Sequence, residues 1–520
     1  MPNNEQDKDA IIAQLRADNA YLKEQLRLQK EKTDMLIRAL FGSKSEKLDA
    51  DQLELLLDPD SVKKPAAVDG NADPLAAEEL SAPPKKRAPR RPRLPEDILT
   101  TETTLLPDEV KANPEAYRQV GEKRSEKLDV TPARYTRHVT IRPTFVERGE
   151  PLPRWFTAAA PPSLLEGSIL TPSLLAHVLI GKYHDHLPYY RQEKIMELRH
   201  GIHIPRNTLC YWTNFAADKL EPLYKLIAED LRNSLHLNID ETPVNYKSKG
   251  GGTRLGYFWI YQNSRAGVLY DWHTGRAHTC LDNILTNGEK SFAGVLQSDG
   301  YSAYDTWSKK RPRVLQVGCW THMRRKFVEA KSDYPEALKI IRLVGRLYSS
   351  EKQYKEWIGQ SHHPPEAIAY YRRRHLTPVL QQIWKTLKSF ENRYLPQSSL
   401  GKAVRYALNQ WLKLCNGLKH SPSIDNNAAE NCVRPLKLGA KNWLFIGGEE
   451  TGWRSAVIYT LIENIRREGK DAQAYLKWVF EKMIGRTNQQ DLRELLPKAW
   501  LALQKSEVTP AASSTNQRAA

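Results

Sequence analysis

Cysteine is scarce in this chain. Its 520 residues include five, at positions 210, 280, 319, 415 and 432, and no two form a CxxC pair. That scatter excludes a disulfide framework and a cysteine-rich zinc site, and it fits a reducing compartment. Long apolar runs are missing as well. Nothing approaches the roughly 20 residues needed to cross a bilayer, and the polar N-terminus has no apolar segment ahead of a cleavage site. The expectation is a cytoplasmic chain with no membrane partner. The third shortage is of acid: 61 Asp and Glu stand against 78 Lys and Arg, a net charge of +17. Such a surplus suits a polyanion, most simply nucleic acid, although a merely basic soluble surface gives the same figure.

The length calls for several domains. Over 10–48, Ile12, Asn19, Leu26, Thr33 and Leu40 share one heptad position, and Leu15, Leu22, Gln29 and Leu36 share the other. This reads as a coiled coil and so as a homo-oligomer, with a single amphipathic helix packed on its own domain as the other reading. Residues 49–94 form a Pro-rich linker ending in a run of Lys and Arg over 85–93. These extended cations either follow phosphates or stay solvated. Residues 95–160 make a small module, with strand-like pieces at 127–130 and 135–141 and a turn-rich stretch from 151.

Helical patterns resume over 165–225. Helices over 172–181 and 189–200 precede a Gly201 turn, and Pro205 opens a third helix through about 220. This is helix-turn-helix grammar, in which Arg206, Asn207 and Trp212 would face a DNA groove; an ordinary helical subdomain is the alternative. Over 230–465 the period changes. Strands are expected at 235–240, 255–262, 267–273, 294–298 and 314–317, with helices at 277–286 and 303–309. Three strands followed by helix–strand alternation describe a ribonuclease-H-like sheet whose first and fourth strands end side by side. Residues of about 330–420 are basic, helical and too long for a loop, hence an inserted helical subdomain. Residues 466–505 read as C-terminal helices and 506–520 as a disordered tail. The fold class is therefore multidomain α+β: a coiled coil, a helix-turn-helix-like region, a ribonuclease-H-like mixed α/β catalytic core with a helical insertion, and C-terminal helices.

Three acidic stretches stand out: Asp240-Glu241-Thr242-Pro243, Ser298-Asp299-Gly300-Tyr301 and Asp425-Asn426-Asn427-Ala428-Ala429-Glu430. Hard divalent cations take oxygen ligands, and two such ions serve phosphoryl transfer. Asp240 and Asp299 each read as the end of a strand, and Glu430 as one turn into a helix that Pro435 would kink or shorten. Each has a plainer explanation. Asp425 would cap the helix, Asp299-Gly300 would make a turn, and Glu241 rather than Asp240 would be the ligand. Arg324, Arg325, Lys326, Arg434, Lys437 and Lys441 are candidates for phosphate contacts, and each serves equally as solvated surface.

With these residues in view, the chain resembles the DDE transposases of the insertion-sequence-66 family over most of its length. The resemblance rests on the three acidic stretches, the zipper ending Leu40-Phe41-Gly42-Ser43-Lys44-Ser45-Glu46-Lys47-Leu48, and His186-Leu187-Pro188-Tyr189-Tyr190-Arg191-Gln192. Cys319-Trp320-Thr321-His322, followed by Arg324-Arg325-Lys326-Phe327, is similar to a further family stretch near substrate DNA, which adds His322 to the DNA-contacting set. The resemblance implies that Asp240, Asp299 and Glu430 are the catalytic, metal-binding triad. Mg²⁺ is the expected ion, with Mn²⁺ as the substitute and no zinc. The implied reaction is 3′-end cleavage and strand transfer of an insertion sequence. The implied partners are its terminal inverted repeats, target DNA and accessory element-encoded proteins, in the nucleoid of a bacterial cytoplasm. Family members usually carry a cysteine-rich zinc module between zipper and core; residues 95–150 hold no cysteine here, so that module folds without metal or is degenerate. Two alternatives stay open: a ribonuclease-H-like nuclease that does not join, and a DNA-binding repressor or architectural protein that has lost catalysis.

Overall fold

The structure is a computed structural model that describes residues 14, 18, 19, 21–23, 25–27, 134–146, 155–288, 290–359, 365–486 and 491–507. The linker 49–94, the strand-like piece 127–130, most of the 95–150 module, the tail from 508 and heptad residues Ile12, Leu15, Gln29, Thr33, Leu36 and Leu40 lie outside the described residues. The described residues of the heptad stretch are helical, with Leu22 and Leu26 exposed. Residues 135–141 form no strand; the short hairpin pairs Thr144–Val146 with Trp155–Thr157 instead, the first strand opening directly after Pro143.

Three helices follow: α1 (Pro172–Tyr183), α2 (Tyr189–His200) and α3 (Arg206–Arg232). Thr171 caps α1, its hydroxyl accepting from Leu174 N at 3.2 Å, and Pro172 occupies the first turn, where no N–H is needed. Gly201 closes α2 in the left-handed region (φ 65°). Helix α3 is longer than the sequence suggests and runs on through Pro222. Its apolar stripe, including Leu209, Ala216, Leu220, Leu223, Ile227 and Leu231, is buried, and that packing outweighs one lost hydrogen bond. The same stripe includes Trp212, which is 2 % exposed and belongs to the core, not to a DNA-facing surface.

The central sheet has five strands: β1 (His236–Lys247), β2 (Thr253–Asn263), β3 (Gly267–His273), β4 (Gly294–Gln297) and β5 (Val314–Val317). Their order is β3-β2-β1-β4-β5, antiparallel among the first three and parallel from β1 to β5. Strand β1 alternates buried and exposed residues over 242–247, β2 and β3 carry buried runs at 258–262 and 268–272, and tight turns join the three, which favours antiparallel neighbours. Between β3 and β4, a 3₁₀ turn (His278–Leu281) and a one-turn helix (Asp282–Leu285) replace the expected single helix. Helix α4 (Ser302–Lys309) connects β4 to β5.

Edge strand β3 does not leave its outer backbone bare. Helix α11 (Gly452–Arg466) lies along it. Thr460 Oγ1 accepts from Tyr270 N at 3.0 Å, and Asn464 accepts from Val268 N at 3.0 Å while donating to Val268 O at 2.7 Å. An unpaired edge invites pairing with other chains, and these side chains take up its donors and acceptors. Gly267 (φ 102°) begins β3 because a Cβ there would sit 2.2 Å from Asn464 Oδ1.

The inserted helices are α5 (Trp320–Ala330), α6 (Ala337–Gly359), α7 (Pro365–Glu391), α8 (Ser399–Asn409) and α9 (Trp411–His420). They share a separate core that includes Phe327, Ile340, Leu347, Ile383, Leu387 and Leu400. Inside it, Arg372 makes a bidentate pair with Glu351 (2.7 and 3.0 Å) and donates to the carbonyls of Leu418 and Ser421. A buried pair is tolerated when its remaining donors are satisfied in this way. Helix α10 (Asn427–Trp443) then crosses back onto the sheet, and α12 (Ala472–Met483) and α13 (Pro497–Glu507) complete the fold. Among the described residues, no helix is long and apolar enough to cross a membrane.

Candidate active site

Strand β1 is where the site begins. Asp240 lies within this strand, not at its end. Parallel neighbour β4 stops pairing at Asn238–Gln297, so Asp240 and Asp299 each sit two residues past the last pair. Beyond that point the open side of β1 is bridged by Ile446, which accepts from Lys247 N at 2.9 Å and donates to Asn245 O at 2.8 Å. Residues of odd number therefore face that side. Pro243, lacking an N–H, is accommodated there because no ladder partner requires one.

Alternation along β1 separates the adjacent acids. Glu241 points to the α4 face, where its side chain is 1 % exposed and both oxygens are engaged, one by Arg276 and the other by the Tyr304 hydroxyl. Asp240 points to the α10 face. One of its oxygens accepts from Glu241 N at 3.0 Å, and no other hydrogen bond to it is made among the described residues. Burial first, then the charges of Glu241, Asp299 and Glu430, push its carboxyl up to about 8. Asp299 sits in a turn set by Gly300 (φ 90°): its carboxylate accepts from Tyr301 N at 2.9 Å. Its carbonyl accepts from the Tyr406 hydroxyl of α8 at 2.5 Å. Glu430 comes from the first turn of α10. One oxygen meets Arg325 at 3.1 Å, and the other lies 3.5 Å from His322 Nδ1. Helix α10 continues unbroken past Pro435 to Trp443, held by buried Ala429, Cys432, Leu436 and Gly439, so the expected kink or early stop does not occur.

A buried polar network underlies the three acids, and sequence reasoning missed it. Asn238 donates to Gln297 (3.2 Å) and to Asn426 (2.9 Å), and Asn426 donates to Ile239 O (2.8 Å). Gln297 also accepts from the Ser421 hydroxyl at 2.7 Å and donates to Ser423 O at 3.1 Å. Asn238 and Gln297 stand two residues before Asp240 and Asp299, and Asn426 four before Glu430. The signal was present in the strand period, which puts residue 238 on the face of residue 240. Asp425 accepts from Asn427 N at 3.2 Å and so shapes the entry to the helix, while Asn426 is the cap residue.

Among the described residues, the possible ligand atoms that lie within 4.8 Å of one another are those of Glu430, His322 and Cys319, and Asp240 and Asp299 stand outside that group. Glu430 Oε1 and His322 Nδ1 are buried without hydrogen-bond partners. Burial lowers the His322 pKa against the opposing pull of Glu430 and Asp299, which leaves a neutral ring nitrogen available. Cys319 Sγ lies within 4.8 Å of donor atoms of both residues. It accepts from Asn426 N at 3.2 Å, and burial pushes its thiol up to about 12, so it remains a neutral thiol and a poor ligand beside oxygen donors.

The other sequence-nominated residues divide into two groups. His322 and Arg325 join the carboxylates directly. Arg324, Lys326, Arg434 and Lys441 are exposed, with Lys326 3.8 Å from Glu329, and Lys437 donates to Pro243 O at 2.7 Å. Arg206 and Asn207 are exposed in the first turn of α3.

Residues 167–454 match the family model described as Transposase IS66 family, and residues 22–102 match one described as Transposase C of IS166 homeodomain. The chain belongs to the IS66 transposase family. The second match spans both the heptad stretch and the linker. Three proteins of Sinorhizobium fredii (strain NBRC 101917 / NGR234) are similar in sequence. Uncharacterized protein y4jD is 31 % identical over 74 % of this chain and 77 % of its own length. Uncharacterized protein y4qI is 29 % identical over 73 % and 71 %, and Uncharacterized protein y4hP 26 % identical over 90 % and 88 %. A transposase acts on DNA, which accounts for the basic surplus.

Proposed function

We propose that this transposase cuts the 3′ ends of an insertion sequence and joins them to target DNA, with Asp240, Asp299 and Glu430 as the residues that hold divalent metal. The observation that carries the reading is the convergence of three carboxylates from β1, the turn after β4 and the start of α10. Each enters the electrostatic field that raises Asp240. The strand order β3-β2-β1-β4-β5, with only the first three antiparallel, supports a ribonuclease-H-like core. Carboxylates that share one field raise the cost of ionising Asp240, and a bound cation would offset that cost. Asp240, Asp299 and Glu430 would hold Mg²⁺ or Mn²⁺, which when bound would supply Lewis-acid stabilisation of the phosphoryl oxygens and a lowered water pKa.

The chain's own residues orient and neutralise. Arg325 holds Glu430, Tyr406 and Gly300 fix the Asp299 turn, and the asparagine network keeps β1, β4 and α10 in register. Exposed Arg324 and Lys326, one helical turn along α5, are placed to meet DNA phosphates. In cleavage, water attacks the phosphorus and the bond to the 3′ oxygen breaks; in joining, that 3′ hydroxyl attacks a target phosphodiester and displaces a target 3′ hydroxyl. The heptad stretch supports self-association, and accessory element-encoded proteins belong to the same reading.

A strand-transfer assay on element-end DNA tests it. Asp299→Asn should abolish cleavage and joining while DNA retention persists. Joining at the wild-type rate would refute the triad. Cleavage without joining by the wild-type protein would favour a nuclease, and binding without either step a repressor or architectural protein.

A further inference from the structure

A cleft of about 320 Å³ opens at the far end of α10, where α1, α2 and α3 approach it. Such a volume is at the lower end of the range that holds small ligands, about 300–1,000 Å³. Its charged lining residues, Lys182, Arg206 and Arg454, are all cations. Arg454 is paired with Asp218 at 3.1 Å. Among the described residues, no carboxylate pairs with Lys182 or Arg206. The Lys182 ammonium instead lies 3.8 Å from the ring centroid of Tyr189, and burial pushes its pKa down to about 8.

The remaining wall is aromatic. Tyr190 is 55 % exposed and Phe445 41 %, with Trp443 half-buried between solvent and core. Tyr459 lines the cleft at 2 % exposure. Open aromatic faces and unpaired cations together match a flat heteroaromatic ring that carries a phosphate. A peptide or lipid surface uses less of this chemistry.

The position of the cleft identifies the source of that ring. Trp443 ends the helix whose first turn carries Glu430. At 1.5 Å per residue the two lie about 20 Å apart along the axis, which equals about six nucleotide steps of a DNA strand. Exposed Asn431, Arg434, Leu438 and Lys441 mark the path between them.

We propose that the cleft receives a nucleobase turned out of the DNA about six steps from the reacting phosphate, the ring packing on Tyr190, Trp443 and Phe445 and its phosphate meeting Lys182 and Arg206. This rests on the reading of the carboxylate site as a DNA-processing centre.

The test uses the full chain with three probes: a short duplex bearing one unpaired 2-aminopurine, the same duplex fully paired, and adenosine monophosphate. Anisotropy reports affinity, and 2-aminopurine emission reports stacking. The unpaired probe should bind more tightly than the paired one, with quenched emission. Tyr190→Ala, at an exposed position that truncation leaves folded, should reduce that preference about ten-fold, as expected for one lost stacking contact. Lys182→Gln should reduce it as well, with circular dichroism confirming that both variants fold. Equal affinity for both duplexes, or quenching that survives both substitutions, overturns the proposal. Tight binding of adenosine monophosphate that displaces the unpaired base would make the cleft a site for a free nucleotide and also overturns it. If DNA is cleaved with metal but the probe is not quenched, only the cleft assignment falls. If no DNA binds at all, the underlying reading falls with it.

Discussion

Replacing Asp240 with Asn should stabilise the metal-free protein while destroying its chemistry. The carboxyl of Asp240 is raised from 3.8 to about 8 by burial and by Glu241, Asp299 and Glu430. A folded-state pKa above the unfolded value means that the fold favours the protonated acid. Stability is therefore drawn down as pH rises from about 4 to about 8, because the unfolded chain gains by ionising. At pH 7 the span is about three units, and at ~1.36 kcal/mol per unit the ionisable side chain costs the fold at most about 4 kcal/mol. An asparagine of the same shape removes that term. In chelator at pH 7 the variant should melt several degrees higher, at about 2–4 °C per kcal/mol for a domain of this kind; below pH 4 the two proteins should converge. Adding Mg²⁺ should reverse the ranking: ligand at a hundred-fold excess over its dissociation constant stabilises by about 2.7 kcal/mol, and only the wild type retains the full donor set. Thermal unfolding followed by circular dichroism, with and without chelator from pH 4 to 8, measures both effects. An Asn variant no more stable than wild type in chelator at pH 7, or one with an equal Mg²⁺ shift, would refute the argument.

Three further outcomes are expected. Asn426→Ala leaves the Ile239 carbonyl unsatisfied in the interior and takes from Asn238 one of its two acceptors, Gln297 remaining. At about 1–3 kcal/mol per unsatisfied group, it should lower urea stability by about 2 kcal/mol and slow strand transfer, with DNA affinity retained. Arg325→Gln releases Glu430 from a half-exposed pair worth at most about 1 kcal/mol, so Mn²⁺ should bind up to about five-fold more tightly; weaker binding in a Mn²⁺ titration would contradict the role given to Arg325. His273 is lowered by burial, but its bonds to Asp271 and Cys280 outweigh this and raise it to about 10. That stabilisation is complete below its unfolded value of 6.5 and is lost as pH climbs to about 10, so the urea midpoint of wild type should fall towards that of His273→Gln across this window. A constant difference between the two would contradict the assignment.

Much of the site was legible because each acid carries local punctuation: a strand pattern before Asp240, a Gly after Asp299, and small residues with carboxamides before Glu430. The succession of strands followed from period and turn signals, and the pairing of the first strand with the fourth from the ribonuclease-H-like arrangement which that succession suggested. Three elements run past the ends expected for them, and each continues through a proline: β1 through Pro243, α3 through Pro222 and α10 through Pro435. In β1 the missing N–H faces an edge that needs none, and in the two helices buried side chains on either side of the proline hold the turn. Trp212 and residues 135–141 failed for a different reason, since propensity does not report which side chain finds a core. The asparagine network was illegible in principle. Asn238 and Asn426 are 188 positions apart, and a polar residue in a strand or at a helix start has many local explanations.

That separation has a bearing on how the protein is made. A nascent chain grows from its N-terminus, and β1 to β5 are complete well before Asn426, Glu430 or the α11 residues that cover β3 emerge. Until then Asn238 has Gln297 but not Asn426, the edge of β3 is bare, and Glu430 is missing beside Asp240 and Asp299. Contacts this distant in sequence form late and slowly. The three acids thus come together only near the end of synthesis, and truncated products released early would be exposed to aggregation through β3.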